Sequence, residues 1–283
     1  MRTIIITGAN TGIGAACAVA MAGAYQDVHL VLACRSEEKT LPVLEAVRAA
    51  GGRASFLALD LADIERTTAA ANDFARTHGR LDMLLNNAGL GGQRGITKNG
   101  FELAFGVNHL GHFAFTLPLL PALEAAKGRV VNVSSGNHFN AAEIPWAKLT
   151  QATRSYTGLP EYAVSKLCNV LFTAELRRRY PSITSVSMNP GRIESDIFRR
   201  MPAPLFALLK LVAPMKPVTV GGARLVHAAT VPLDGEDAPL YFDKGTPRTE
   251  NPAARREDLA KELWDYSLRA IATTSAPEGR AAA

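Results

Sequence analysis

Cysteine is scarce in this chain, and long apolar runs are missing. The three cysteines, Cys17, Cys34 and Cys168, are far apart and form no C-x-x-C pair. We therefore expect reduced thiols with no disulfide and no metal site, as in a cytoplasmic protein. No uninterrupted apolar stretch is long enough to span a bilayer, and the first residues lead directly into an apolar β-like run. We expect neither an integral membrane segment nor an N-terminal signal or anchor.

Clusters that combine basic and aromatic residues are also missing. Such clusters characterise surfaces that bind nucleic acids, so we expect no nucleic-acid partner. The formal net charge of +5 is consistent with either a solvated basic surface or an anionic, phosphate-rich cofactor. With 47% hydrophobic and 20% charged residues, the composition is typical of a packed globular protein and excludes a disordered chain.

Short β-branched runs alternate with longer helical segments, which predicts an α/β fold with βαβ units and a parallel sheet. Because the strands are continuously apolar, helices should cover both faces of the sheet. The predicted strands cover residues 3–7, 28–33, 54–58, 83–86, 129–133, 184–188 and 240–242. The predicted helices cover residues 14–22, 41–50, 64–78, 99–120 and 161–179. We expect one domain over residues 1–272 and a disordered tail over residues 273–283.

Two long segments interrupt this alternation, and long connections inside a compact domain are often functional. In residues 136–159, Phe139 and Trp146 are candidates for the wall of a pocket. Residues 198–220 contain four prolines around an apolar stretch with Leu205 and Phe206 at its start. This second segment is either a lid over the substrate, a core helix or a helix on a membrane surface.

A glycine-rich turn follows the first predicted strand. Gly8, Gly12 and Gly14 lie between that strand and the first predicted helix, together with Asn10, Thr11 and Ile13. Glycines allow a tight turn and a close approach of the backbone to a pyrophosphate, and the helix N-terminus offers N–H donors to it. An ordinary tight turn would have the same composition, but the position at the first strand-to-helix junction favours a dinucleotide site.

The end of the second strand indicates which dinucleotide binds. An acidic residue there would bind the ribose hydroxyls of NAD, and an arginine suits the 2′-phosphate of NADP. No Asp or Glu occurs at positions 33–36, so Arg35, helped by Ser36, predicts NADP(H). Asp60 and Leu61 follow the third strand, where the adenine would lie. The fourth strand is followed by Asn87, Ala88 and Gly89.

A tyrosine and a lysine stand one helical turn apart at Tyr162 and Lys166. A neighbouring cation favours the phenolate, so the pair could exchange a proton with a carbonyl or alcohol oxygen. A serine at the end of the fifth strand, Ser134 or Ser135, could bind the same oxygen. Asn108 lies in a predicted helix, where asparagine is an unusual choice. By spacing alone, Tyr162 and Lys166 could equally be surface residues of a helix.

Taken together and in order, these motifs resemble the short-chain dehydrogenase/reductase family. The motifs are Thr7-Gly8-x-x-x-Gly12-Ile13-Gly14, Asn86-Asn87-Ala88-Gly89, Asn108, Ser135, Tyr162-x-x-x-Lys166 and Pro190-Gly191. The resemblance implies a single-domain, Rossmann-type doubly wound sheet with a small substrate lid, and a homodimer or homotetramer. It implies that Tyr162 is the general acid/base, that Lys166 modulates its pKa and binds ribose, and that Ser135 orients the carbonyl. It implies further that Asn108 holds a water in a proton relay.

The resemblance also assigns the loop around the nicotinamide and narrows the branch. Pro190, Gly191, Ile193 and Ser195 would form that loop. The segments around Asn108 and Lys166 are similar to retinol dehydrogenases and protochlorophyllide reductases, which implies NADP(H) and a mid-sized or large apolar carbonyl or alcohol substrate. A cysteine follows the Pro-Gly pair in protochlorophyllide reductases, and Arg192 stands there in this chain. The alternatives are C=C reduction as in those reductases, or a non-catalytic dinucleotide sensor.

Overall fold

The chain folds around one eight-stranded sheet. In the computed structural model, residues 1–194, 214–233, 235 and 238–275 are described. The strand order is β3-β2-β1-β4-β5-β6-β7-β8; the first seven strands are parallel and β8 pairs antiparallel with β7. The strands are β1 Arg2–Thr7, β2 Val28–Cys34, β3 Arg53–Ala58, β4 Met83–Asn86, β5 Arg129–Val133, β6 Thr184–Asn189, β7 Tyr241–Asp243 and β8 Thr246–Pro247.

Helices connect the strands and cover both faces of the sheet. They are α1 Gly12–Ala24, α2 Leu41–Ala49, α3 Ile64–Thr77, the continuous helical stretch α4 Leu103–Ala126, α5 Leu159–Arg179, α6 Val218–Thr230 and α7 Glu257–Ser275. Short 3-10 turns lie at Gly136–Asn140, Trp146–Lys148 and Pro252–Arg255. Within α4, residues Gly106–Leu110 form a π-helical turn and Leu117–Leu119 a 3-10 turn.

The alternation of side chains in β1 shows how the two layers form. Ile4 and Ile6 are buried in the core that also contains residues of α1, α2 and α6. Ile5 points to the other face, where it joins residues of α3, α4, α5 and α7. Because successive strand residues point to opposite faces, an all-apolar strand needs helices on both sides. The expected doubly wound α/β fold is therefore confirmed.

The strand order reverses direction between β1 and β4. From β1 the chain adds β2 and β3 on one side, and β4 to β7 on the other. The connections after β1 and β4 leave in opposite directions and open a crevice at the carboxyl ends of these strands, where ligands of such sheets bind. The glycine-rich turn follows β1 at this crevice, so the fold places it where a dinucleotide site is expected.

The sequence pattern located the first seven strands to within one or two residues but missed several other elements. The two-residue strand β8 and the helices α6 and α7 were not predicted. The helix expected at 99–120 lies at Leu103–Ala126. This stretch has 24 residues, and an 18-residue window in it has a mean hydropathy of 1.2, which would allow a membrane span, but 78% of that window is buried inside the protein. Among the described helices it is the one stretch with these properties, and it serves as a core helix.

Two further expectations concern segments of which only a part is described. Of the proposed lid at 198–220, residues 198–213 lie outside the described residues. Val218 to Val220 form the first turn of α6, and this helix packs on α1 from Gly221 onward, so this end of the segment is part of a scaffold helix. The tail was expected from residue 273, but α7 continues to Ser275; residues 276–283 lie outside the described part.

Candidate active site

A cavity of about 1100 Å³ lies at the carboxyl ends of the strands. It brings together most of the residues that the sequence singled out. These are Gly8, Asn10, Thr11, Gly12, Ile13, Arg35, Asp60, Leu61, Asn87, Ala88, Gly89, Ser135, Tyr162, Lys166, Pro190, Gly191 and Ile193. The residues come from distant positions in the chain, and the parallel sheet gathers them because all its crossovers return to the same edge.

Three of the singled-out residues do not line this cavity, and a fourth is not described. Gly14 packs beneath the turn, and a Cβ there would lie 2.6 Å from the Gly8 carbonyl oxygen. Ser36 instead lies at the start of the turn before α2, where its carbonyl accepts a hydrogen bond from Thr40 Oγ1 at 2.7 Å. Asn108 is fully buried behind the cavity wall. Ser195 lies outside the described residues.

The glycine-rich turn is shaped by close backbone packing. Gly8 and Gly12 have φ values of 64° and 60°, a region that L-residues with a side chain rarely adopt. A Cβ on Gly8 would lie 2.9 Å from Ala88 Cα, which is closer than carbon atoms can pack. The turn lines the cavity beside the N-terminus of α1. This arrangement fits the pyrophosphate of a dinucleotide.

Thr7 fastens this turn to the end of β4. Its Oγ1 accepts hydrogen bonds from the backbone N–H groups of Asn87 and Ala88, each at 2.9 Å. In return, Asn87 Nδ2 donates to the Thr7 carbonyl oxygen at 2.9 Å. Asn87 therefore holds the shape of the glycine-rich turn in addition to lining the cavity.

His112 extends the same network into α4. Its Nδ1 lies 2.9 Å from the carbonyl oxygen of Asn108, which can only accept, so Nδ1 carries the proton. Nε2 then accepts from the hydroxyl of Thr7 at 2.9 Å. Burial lowers the pKa of His112 to about 4, which keeps the ring neutral in this tautomer. The interpretation of His109 and His112 as packing residues fits these contacts, since His109 Nε2 lies 2.9 Å from Ser267 Oγ.

Asn108 connects the wall of the cavity to the helix that carries Tyr162. Its Oδ1 accepts from the N–H of Leu90, and its Nδ2 donates to the Leu90 carbonyl and to Ser165 Oγ, all at 2.9 Å. Ser165 Oγ in turn donates to the Tyr162 carbonyl at 2.8 Å. The amide of Asn108 is thus used to position backbone and helix, and its role in a water relay stays a prediction.

The proton-transfer residues meet at the centre of the cavity. Tyr162 is 3% exposed and its side chain is hydrogen-bonded to Ser135. The Nζ of Lys166 lies 5.6 Å from the centre of the Tyr162 ring and donates to the Val133 carbonyl oxygen at 2.9 Å. Ser134 donates its hydroxyl to the Lys166 carbonyl oxygen at 2.8 Å, which leaves Ser135 as the serine that faces Tyr162.

Burial dominates the protonation of this pair. It raises the pKa of Tyr162 to about 12, although the hydrogen bond from Ser135 opposes the rise. It lowers the pKa of Lys166 to about 7. The sequence predicted that the lysine lowers the pKa of the tyrosine. In the protein by itself desolvation is the largest effect on both groups, and the role of Lys166 as a modulator of that pKa stays a prediction.

Several lining residues were not foreseen from the sequence. Apolar side chains of Leu90, Leu103, Val107 and Leu159 line the cavity. Phe139 lines the cavity, as expected, whereas Trp146 does not, and its ring centre lies 5.2 Å from that of Tyr266.

Basic residues near the end of β7 were also missed. Lys216, Arg224, Lys244 and Arg248 all line the cavity. The rule that ligands bind beyond the carboxyl ends of parallel strands could have indicated Lys244 and Arg248, because they follow a predicted strand. No local pattern distinguishes Lys216 and Arg224 from surface residues.

Comparisons with known proteins agree with this architecture. A family model described as short chain dehydrogenase matches residues 2–204. Human retinol dehydrogenase 12 is 35% identical over 281 residues, covering 95% of this chain and 86% of the relative. Human retinol dehydrogenase 13 is 33% identical over 287 residues, covering 95% of this chain and 84% of the relative.

Solved structures show the same fold. An uncharacterised protein from Mycobacterium paratuberculosis is 30% identical with a TM-score of 0.73, covering 96% of this chain and 94% of the other. A protein described as an NAD(P)-dependent gluconate 5-dehydrogenase from Beutenbergia cavernae, solved with NADP, is 23% identical with a TM-score of 0.66, covering 86% and 94% of the two chains.

This chain thus combines the glycine-rich turn, the order of the strands and the cluster of Ser135, Tyr162 and Lys166. The family model matches more than half of its length. Its fold and motifs are those of a family of oxidoreductases that bind a nicotinamide dinucleotide. It belongs to the short-chain dehydrogenase/reductase family and is similar to the retinol dehydrogenase branch of that family.

Proposed function

We propose that the protein is an NADP(H)-dependent oxidoreductase that interconverts a carbonyl and an alcohol on a mid-sized or large substrate with an apolar body. The observation that carries this proposal is the meeting of Ser135, Tyr162 and Lys166 with the glycine-rich turn in one cavity. The residues that orient an oxygen and move its proton thereby lie beside the site that would hold a hydride donor.

The chain's own residues supply binding and proton transfer. When bound, the nicotinamide supplies or accepts the hydride. Ser135 binds the substrate oxygen and holds it against the hydroxyl of Tyr162, which donates the proton as the carbonyl becomes an alcohol. With its pKa at about 12, Tyr162 retains this proton at neutral pH and is ready to act as an acid. Lys166 lies close enough to stabilise the phenolate left behind and to bind the ribose.

Arg35 supports the preference for NADP(H). It lines the cavity directly after β2, and positions 33–36 carry no acidic residue that could bind ribose hydroxyls instead. Glu37 and Glu38 follow Arg35, but they do not line the cavity. A guanidinium can form two parallel hydrogen bonds with a phosphate, which a ribose hydroxyl cannot match.

The apolar wall supports a substrate with an apolar body. Leu90, Leu103, Val107 and Leu159 line the cavity together with Tyr162. The relatives named retinol dehydrogenase agree with this class of substrate. The cytoplasmic location and the homodimer or homotetramer stay predictions.

The test of the proposed function replaces Tyr162 with Phe. The variant removes the hydroxyl that donates the proton and should reduce NADPH-dependent reduction of a carbonyl panel by about two to four orders of magnitude. The matched control is Tyr156→Phe, because Tyr156 is 84% exposed and does not line the cavity. Unchanged turnover in Tyr162→Phe would contradict the proton-transfer assignment.

Two alternatives are separated by the same assays. A non-catalytic sensor would bind NADPH tightly and turn over no carbonyl compound. A C=C reductase would reduce an enone to the saturated ketone, and product analysis would show the ketone oxygen retained.

A further inference from the structure

The two ends of the cavity carry very different numbers of cations. At the end beside β2, Arg35 is the basic residue. At the opposite end, beyond β6 and β7, the lining includes five basic residues. They are Arg192, Lys216, Arg224, Lys244 and Arg248. Because β2 and β7 lie on opposite sides of β1 in the sheet, these two groups of cations cannot serve the same phosphate.

Four of the five basic residues lie beside the Pro190–Gly191 turn. Arg224 Nη1 donates to the Pro190 carbonyl oxygen at 2.7 Å, and a Cβ on Gly191 would lie 3.2 Å from Lys244 Cγ. The backbone N–H of Lys216 donates to the Arg192 carbonyl oxygen at 2.8 Å. Cations on three separate segments therefore converge on one turn, although like charges repel one another.

Acidic residues at this end do not balance these cations. Asp243 is the acidic lining residue there among the described positions, and its carboxylate is bound by Asn189 and Arg248, each at 2.7 Å. The same carboxylate also attracts Lys244. Glu194 lies in the adjacent loop but does not line the cavity. Five cations thus face one carboxylate, which leaves this end strongly positive.

The amino-acid composition of the neighbouring residues outside the described part does not offset this positive charge. Positions 195–213 contain one acidic residue, Asp196, against Arg199, Arg200 and Lys210. The segment that joins the two cation-bearing parts of the chain is therefore itself basic in sequence.

The cofactor accounts for only part of this charge. Its pyrophosphate belongs at the glycine-rich turn and its 2′-phosphate at Arg35. Arg224 lies near this region, because its helix packs closely on the turn. A Cβ on Gly221 of that helix would lie 2.8 Å from Ile13 Cγ1. Lys244 and Arg248 lie further away, and Arg248 stacks on Phe139 at 4.4 Å from the ring centre. Phe139 belongs to the wall that follows Ser135, so Arg248 lies on the substrate side. Lys244 lies near it, because Asp243 binds Arg248 and also attracts Lys244.

We propose that the substrate carries an anionic group, a carboxylate in its simplest form, on its apolar body. Arg192 and Lys244 bind this group while the apolar wall binds the remainder. The inference rests on the proposed function and deepens it from an apolar substrate to an amphipathic acid. The carboxylate does not react: the carbonyl gains a hydride and a proton, and the anion fixes which way the chain of the substrate lies.

The test compares medium-chain oxo acids with their methyl esters. The ketone is placed at increasing distance from the carboxylate, and NADPH oxidation is followed for each pair. We expect the best acid to exceed its ester in kcat/KM by on the order of tenfold to a hundredfold, mainly through KM, since a charge-assisted hydrogen bond is lost in the ester. In Lys244→Met and Arg192→Met this acid-to-ester ratio should fall toward one.

Lys261→Met is the matched control, because Lys261 is an exposed lysine on α7 that does not line the cavity. It should keep the acid-to-ester ratio of the wild type. The Kd of NADPH is measured for each variant. If Lys244→Met and Arg192→Met weaken NADPH binding and leave the ratio unchanged, the cations serve the cofactor and the proposal is overturned.

Binding without turnover provides an independent measurement. Calorimetry of the NADP-loaded protein with decanoate and with the neutral decanamide, neither of which carries an oxidisable alcohol, should show tighter binding of the carboxylate, and Lys244→Met should remove the difference. Equal binding of the two overturns the anion site. Efficient reduction of esters and neutral ketones alongside equal binding would overturn this inference alone and leave the proposed function standing.

Discussion

His112 Nε2 lies 2.9 Å from Thr7 Oγ1, and this contact joins the core helix α4 to the last residue of β1. Because Thr7 also accepts from two N–H groups after β4, one buried hydroxyl ties the cofactor turn, the neighbouring strand and the helix together. Through Asn108 the same chain of hydrogen bonds reaches Ser165 on the helix of Tyr162. The cofactor side and the proton-transfer side of the cavity are thus connected through the protein interior.

This network predicts how stability depends on pH. The pKa of His112 is lowered by burial from 6.5 to about 4, so below about pH 6.5 the unfolded chain takes up a proton that the folded chain refuses. The free energy of unfolding should therefore be fully retained at neutral pH and fall as the pH drops toward about 4, by about 1.4 kcal/mol per pH unit for this residue. Urea unfolding at several pH values measures it.

The variant His112→Leu tests the origin of this dependence. It should be less stable at neutral pH by about 1–3 kcal/mol, because the Thr7 hydroxyl and the Asn108 carbonyl lose their partner. Its stability should also decline less steeply on acidification. His227→Leu, at an exposed position on α6, should keep the slope of the wild type. An identical slope in His112→Leu would show that other groups cause the acid dependence.

Arg35→Ala should weaken NADPH binding selectively. Loss of a charge-assisted contact to the 2′-phosphate costs about 1.5–3 kcal/mol, or about tenfold to a hundredfold in Kd, while NADH affinity should change little. Fluorescence titration with both cofactors measures this. The control Arg53→Ala lies at the start of β3, the opposite end of the sheet from the cavity. Equal affinity of the wild type for the two cofactors would contradict the proposed NADP preference.

Gly8→Ala should abolish cofactor binding or the fold of the turn. Gly8 has a φ of 64°, and a Cβ would lie 2.9 Å from Ala88, so both the backbone conformation and the close approach are lost. Gly23→Ala is the control, because Gly23 lies in α1 with nothing within 4 Å of its Cβ position. That substitution should stabilise the helix by up to about 1 kcal/mol. Wild-type Kd for NADPH in Gly8→Ala would refute the tight-turn argument.

Trp264→Ala should destabilise the protein by about 3–5 kcal/mol. Trp264 on α7 is 3% exposed, and its ring centre lies 5.0 Å from that of Phe113 on α4, so its loss opens a cavity in the core. Leu268→Ala on the same helix, at a position 38% exposed, should cost much less. Thermal and urea unfolding compare the two. A loss for Trp264→Ala no larger than for Leu268→Ala would show that α7 is not part of the cooperative core.

Local patterns in the sequence determined much of the scaffold. The apolar runs located β1 to β7, because a strand buried on both faces needs consecutive apolar residues such as Ile4, Ile5 and Ile6. The glycines at 8 and 12 indicated the turn for the same local reason, since their backbone conformation excludes other residues. The order of the motifs then indicated Tyr162 and Lys166, which spacing alone left ambiguous.

The tertiary structure decided what depends on distant contacts. Lys166 donates to Val133, and its pKa falls to about 7 because the whole core buries it, which no helical spacing reveals. Trp264 and Lys244 acquire their places because α7 closes over α4 and because β7 ends at the cavity. A sequence pattern reports the local geometry and the apolar face of one element. Which side chains meet across elements, and how far water is excluded from them, is decided only when those elements pack.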